Sequence, residues 1–253
     1  MKLLKSIAVA FSMYSRIPVP NFTWDSEDMK YHLVFFPWVG AVIGLLEYLL
    51  FCLAKSYEMP MLSFAAFAMV IPLVVTGGFH VDGFMDTADA MSSWQTKEKR
   101  LEILKDPHIG AFAVIHLVVA GLVLFASVLL LDERGFLYFC FSFFQARCLS
   151  GMCVVKGKKA KEEGLLHTEA KTAGENVVFG ALMVELAVSL LVTIWMNPFY
   201  GMIQGVVLLG STVYYLYKAK KYFGGVTGDL AGWFVVFTEV MMAFVIALVC
   251  YIG

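Results

Sequence analysis

The chain has 253 residues, 60% of them hydrophobic and only 15% charged, with a mean hydropathy of +0.78. Soluble domains average about 45–50% apolar and about 25% charged residues, so a water-soluble fold is excluded and an all-α, polytopic bundle of transmembrane helices is expected, as one domain over residues 1–253. The net charge of −1 names no partner by itself. What matters is where the charges lie, and nucleic acid is not among the expected partners.

The N-terminal stretch Lys2–Tyr14 is apolar but short, and it runs into Arg16 and Pro18–Val19–Pro20 without a cleavage pattern. An interfacial or re-entrant helix is expected there, a first full span being the alternative. Seven apolar runs follow, at about 33–54, 61–78, 109–131, 136–155, 177–196, 201–217 and 231–252. A helix needs roughly 17–25 residues to cross a bilayer. The second and sixth runs are short and carry breakers: Pro72, Gly77 and Gly78 in one, Gly205 and Gly210 in the other. A tilted, broken or partly re-entrant course is expected for both. Cys52, Cys140, Cys148, Cys153 and Cys250 are scattered and form no C-x-x-C, so free thiols are expected.

Lys and Arg set the orientation. With the N-terminus in the cytoplasm, Lys2, Lys5, Arg16 and Lys30 are inside. Lys97, Lys99, Arg100 and Lys105 follow after run two. Lys156, Lys158, Lys159, Lys161 and Lys171 follow run four, and Lys218, Lys220 and Lys221 follow run six. Of 19 basic residues only Lys55, Arg134 and Arg147 fall elsewhere. A multi-pass cell-membrane protein is expected, with its N-terminus and site cytoplasmic.

The loop from 79 to 108 opens with GGFHVDGFMDTADA, Gly77 to Ala90. A helix is expected from about Val81. It places Asp82, Asp86 and Asp89 within roughly 60° of one face, with Ser93. Like charges on one face repel. A hard cation such as Mg²⁺ would hold them together, sharing its shell with substrate phosphates. The expected site is therefore a metal–pyrophosphate centre. Its metal ligands are Asp82, Asp86 and Asp89, with Arg16, Arg100 and Lys105 as phosphate clamps. The bland alternative is a solvated loop with acids at helix N-termini. A second helix, about Lys97–Lys105, carries Glu102 and Asp106 at i, i+4. His80 lies off the acidic face and is a base, a phosphate donor or a helix-entry residue. His32, His108, His116 and His167 are expected to be structural or surface residues.

A second element, at 218–230, contains Gly224–Gly225–Val226–Thr227–Gly228–Asp229. A tight turn there would aim backbone N–H groups at an anion, with Asp229 a helix cap or a further metal ligand. Within the runs, Arg147, Glu185 and Glu239 each lie about 12–13 Å from the cytoplasmic end. Such charges are usually functional. A polar cavity is expected around them, or an ion pair of Arg147 with Glu239 or Glu185.

The stretch TGGFHVDGFMDTADA, then KRLEILKDPHIGAF, then GGVTGD with Glu239 beyond it, resembles the cobalamin synthase family of adenosylcobinamide-GDP ribazoletransferases. FSMYSRIPVP and FPWVGAVIG resemble the family's opening segments, so the likeness covers nearly the whole chain. Ala90, Lys161 and Leu166 depart from the common pattern, which puts details of the 161–166 loop in doubt. The resemblance implies a Mg²⁺-dependent transfer of adenosylcobinamide phosphate from adenosylcobinamide-GDP to α-ribazole or its 5′-phosphate, giving adenosylcobalamin or its phosphate and GMP. For that reaction, catalytic roles are expected for His80, Asp82, Asp86 and Asp89, and metal binding by Asp82, Asp86, Asp89 and Asp229. Substrate contacts would come from Arg16, Arg100, Lys105, Asp106, Gly224, Gly225, Thr227, Gly228, Arg147 and Glu239.

Rival readings are weaker. A CDP-alcohol phosphotransferase would continue Asp82–Gly83 with an Ala-Arg step, which is missing. A polyprenyl transferase would carry a second aspartate-rich element. A corrinoid transporter would show paired half-helices in a repeat, and none is legible. A homo-oligomer is compatible with a membrane bundle, but no interface is legible either.

Overall fold

The computed structural model describes residues 2–20, 23, 28–160 and 174–252; Lys161, His167 and Lys171 lie outside them. The described chain is helical apart from one isolated bridge, Lys159 to Val226. A short helix α1 (Lys2–Tyr14) precedes a 3₁₀ helix (Asp28–Phe35) that runs into α2 (Phe36–Ser56). Then come α3 (Met61–Thr76), α4 (Phe79–Ser92), α5 (Lys97–Ile103), α6 (Ala111–Leu130) and α7 (Glu133–Lys156). α8 (Glu175–Met196), α9 (Pro198–Lys218), a π turn (Ala219–Phe223) and α10 (Gly228–Ile252) complete the chain.

Six of these helices are long and apolar enough to cross a membrane, and α3 with α4 makes a seventh if counted as one broken span. They match the seven apolar runs. α1, with 13 residues, is too short to cross, as the interfacial reading expects. α7 is the axis of the bundle and is buried along most of its length, with α2, α8, α9 and α10 packed around it. α2 approaches it through Gly40 and Gly44, where a Cβ would strike the carbonyls of Phe143 and Cys140. Small residues at this spacing let two membrane helices meet backbone to backbone.

The break after α3 places the site. Gly77 and Gly78 both take left-handed backbone, φ 66° and 81°, a region glycine enters without steric cost. The chain turns by 96° there. α4 then lies across the end of the bundle, against the beginnings of α6 and α10. The stretch expected as a loop at 79–108 is thus largely helix, and half of α4 is packed rather than solvated. α5 ends at Ile103, which leaves Asp106 outside it, contrary to the expected Glu102–Asp106 face.

Of the intramembrane charges, Arg147 and Glu239 pair at 2.7 Å with both side chains buried. Arg147 also donates to the Phe143 carbonyl at 2.7 Å. Glu185 stands apart and accepts from the Trp38 indole N–H at 3.0 Å. The expected common cavity for all three charges is therefore not formed; depth along the bilayer matched, but the faces do not. Removing one partner of a buried pair typically costs about 3–5 kcal/mol, whereas an apolar replacement of both is often tolerated. Arg147→Met should therefore lose the folded monodisperse protein in detergent, and adding Glu239→Leu should restore much of its thermal midpoint. Equal midpoints for single and double variants would contradict this.

Candidate active site

α4 presents two faces. Phe84, Thr87, Ala88 and Ala90 are buried against the bundle, whereas Asp82 is exposed and Asp86 and Asp89 are half-buried. The expected helical face thus exists. α10 brings the fourth acid. A Cβ on Gly83 would lie 2.7 Å from the Asp229 carbonyl oxygen and 2.9 Å from its Cα, so the two backbones touch there. Gly232, one turn on, meets His80 in the same way, a Cβ there falling 3.2 Å from its carbonyl. The crossing of α4 on α10 therefore needs Gly83.

Asp86 sits amid this charge. Partial burial, and then the neighbouring charges of Asp82, Asp229 and Asp89, push its pKa from 3.8 up to about 6. The folded value lies above the ordinary one, so the unfolded chain releases this proton first. Metal-free stability should fall as pH rises from about 4 to about 6, then level off.

Arg16 reaches the same end of α4. Its amide donates to the Val75 carbonyl at 2.7 Å, tying the residues after α1 to the end of α3. Its side chain lies over Gly77, where any Cβ would collide with it. Arg16 and Asp82 line one cavity of about 570 Å³, together with Ser12 and Ser15. At the other end of the row the Asp89 carboxylate rests on Gly110, at the entry to α6. Arg100 lies over the Tyr222 ring, 4.8 Å from its centroid, beside a second cavity.

Other expected residues are placed differently. His80 is buried, with its ring stacked on Phe36 and edge-on to Phe79. It lines a small apolar cavity with Arg147 and Glu239, inside the bundle and away from the acidic face. Lys105 and Asp106 are exposed and line neither cavity beside α4, and Asp106 is engaged by the His108 ring at 2.6 Å. The glycine turn spends its amides internally. Gly225 donates to Ala219 at 3.1 Å and Val226 to Lys158 at 2.7 Å. Thr227 accepts from Leu230 at 3.1 Å and so caps α10. Gly224, Gly225 and Thr227 therefore pin and cap this turn, and the expected anion nest loses donors. Gly228 is exposed at the start of α10. Gly83, Gly110, Ser12 and Ser15 were not expected at the site. A glycine inside a helical pattern, as at Gly83, is the one signal that points to a close backbone approach.

Among the described residues no three His, Cys, Asp or Glu side chains form a ready metal cage. The donors along α4 and at Asp229 are nonetheless all carboxylate oxygens. Mg²⁺ prefers such ligands and binds through one or two of them, completing its shell with water and phosphate. The row fits a metal that arrives with a diphosphate better than one held permanently.

The family model described as cobalamin-5-phosphate synthase matches residues 6–247. A protein of Lachnoclostridium phytofermentans named adenosylcobinamide-GDP ribazoletransferase is 40% identical over 249 residues, covering 98% of this chain and 95% of its own. One of the same name from Clostridium perfringens is 31% identical over 247 residues, 93% of this chain and 94% of its own. Another, from Listeria welshimeri, is 29% identical over 242 residues. No solved structure matches the chain.

Proposed function

The chain belongs to the cobalamin-5-phosphate synthase family, and we propose that it performs the family's transfer on the acidic face of α4. It is a transferase of cobalamin biosynthesis. Adenosylcobinamide-GDP is the donor, α-ribazole or its 5′-phosphate the acceptor, and GMP the leaving group. The observation that carries the reading is the meeting of Asp82, Asp86 and Asp89 with Asp229, beside a cavity that Arg16 and Asp82 share.

A ribose hydroxyl of the acceptor attacks the phosphorus on the cobinamide side of the diphosphate. The bond from that phosphorus to the GMP oxygen breaks, and the hydroxyl proton passes to a base. Asp86, with its pKa raised to about 6, suits that role better than the buried His80. Asp82, Asp89 and Asp229 would hold Mg²⁺, which when bound offsets charge on the diphosphate and the departing phosphate. Arg16 supplies a guanidinium for phosphate oxygens in the first cavity. Positioning and charge neutralisation carry most of such a transfer. The crowding of Lys and Arg at the ends of even-numbered spans supports a cytoplasmic position for this face.

The test is purified full-length protein in detergent with adenosylcobinamide-GDP, α-ribazole and Mg²⁺, scored for cobalamin and GMP. Product yield untouched by EDTA would remove the metal. A separate expectation follows from Asp86. Mg²⁺ favours ionised carboxylates, so its affinity should rise from pH 5 to pH 7 and then level. Mg²⁺ should also raise the thermal midpoint more at pH 7 than at pH 5. Calorimetric titration across that range checks the slope, which Asp86→Asn should flatten.

A further inference from the structure

A second cavity, of about 560 Å³, lies at the far end of α4 and has a chemistry the acidic row does not supply. Its walls include Ser92 and Trp94 beyond the row, Arg100 of α5, His116 of α6, and Lys221 and Tyr222 of the π turn. Trp94 is 94% exposed. Its backbone is left-handed at φ 54°, in the position just past the Ser93 cap where helices commonly end this way, and this turn carries the indole away from α4. Burial does not explain an indole held out in this way.

The rest of the lining is cationic and aromatic. The Arg100 guanidinium is stacked on Tyr222, and its Nε is buried without a hydrogen-bond partner. Lys221 lies 5.3 Å from the same ring. Tyr222 is carried by the π turn Ala219–Phe223, a local distortion frequent at functional sites. A flat aromatic surface and cations lining one cavity are the groups that stack a base and meet its phosphate; the Lys221 ammonium, which donates to the Tyr217 hydroxyl at 3.0 Å, is exposed and able to turn to an anion.

We infer that this cavity binds a nucleotide, its planar base against Trp94 and its phosphate toward Arg100 and Lys221. The inference rests on the reading of α4 as the catalytic row and deepens it. α4 then has a cation-bearing cavity at each end, with Arg16 lining the one at Asp82 and Arg100, on α5, lining the one beyond Asp89. A transfer of cobinamide phosphate from GMP to a ribazole hydroxyl brings three large groups to one phosphorus, so nucleotide-sized cavities are needed beside the row. The GMP half of the donor and the ribazole phosphate share this chemistry, a planar heterocycle on a ribose phosphate.

The experiment uses full-length protein in phosphatidylcholine nanodiscs with EDTA present, so that the acidic row carries no metal. GMP and α-ribazole 5′-phosphate are titrated separately against wild type, Trp94→Ala, Trp94→Phe and a Arg100→Gln/Lys221→Gln double variant. Trp94→Ala and the double variant should each weaken one of the two ligands about 10-fold or more, with Trp94→Phe retaining most of the affinity. The ligand affected identifies which substrate half occupies the cavity. Unchanged affinity for both ligands in Trp94→Ala overturns the inference, as does a wild type that binds neither. Vesicle binding by anionic lipid that depends on Trp94, with nucleotide affinity unaltered, also overturns it and makes the face a headgroup contact. Full turnover in Asp82→Asn, Asp86→Asn and Asp89→Asn would instead overturn the catalytic row and leave the nucleotide titration standing.

Discussion

Replacing Asp86 by Asn is expected to lower turnover about 10²–10⁴-fold, the usual contribution of a positioned acid or base, with little loss of fold. Asp86 is half-buried on α4 among Asp82, Asp89 and Asp229, and that burial, and then their charges, hold its pKa at about 6. Asparagine keeps the shape, removes the proton acceptor and relieves repulsion. The variant should therefore be at least as heat-stable as wild type without Mg²⁺. Asp82→Asn and Asp89→Asn should behave differently. Their loss should appear as weakened Mg²⁺ dependence and recover in part at high Mg²⁺, whereas Asp86→Asn should not recover. GMP release against Mg²⁺ concentration separates the two patterns. Near-normal turnover in all three variants would remove the acidic site from the account.

Gly83→Ala should cost about 100-fold in turnover although it adds one methyl group. In an ordinary exposed helix the change would gain about 1 kcal/mol of helix propensity. Here the new Cβ would fall 2.7 Å from the Asp229 carbonyl oxygen and 2.9 Å from its Cα. Both are backbone atoms and cannot rotate away, so α4 must lift from α10. A shift of about 1 Å in catalytic groups is enough for a 100-fold loss, and forced overpacking costs about 1–3 kcal/mol. Activity and the thermal midpoint should fall together. A Gly83→Ala protein that is more stable than wild type and fully active would show that the helices do not need this contact.

Much of the molecule is legible before folding. Each apolar run became a helix within a few residues of its expected ends, because twenty apolar residues in a bilayer have no other way to satisfy their backbone amides. The acidic face of α4 is equally local, since i, i+4, i+7 spacing fixes a face once a helix forms. His80, Lys105 and the glycine turn fared differently. Helix phase takes position 80 off the acidic row, but only packing decides that its ring is buried against Phe36 of α2 and shares a cavity with Arg147 of α7. The turn at 224–226 pairs with residues 158–160, which lie more than sixty positions away in sequence. Hydrogen bonds across such a separation leave no periodic trace.

By itself the sequence determined that this chain crosses a membrane, that it carries a row of carboxylates on one helix, and that it resembles one family of transferases. These follow from composition, helical period and an ordered string of residue types, all properties of neighbours along the chain. Tertiary structure alone decided that Asp229 joins the row, that Arg16 shares a cavity with Asp82, and that Arg147 is tied to Glu239 inside the bundle. Those are contacts between distant segments. They are set by where glycines let backbones approach and where the 96° bend after α3 lays α4 across the helix ends.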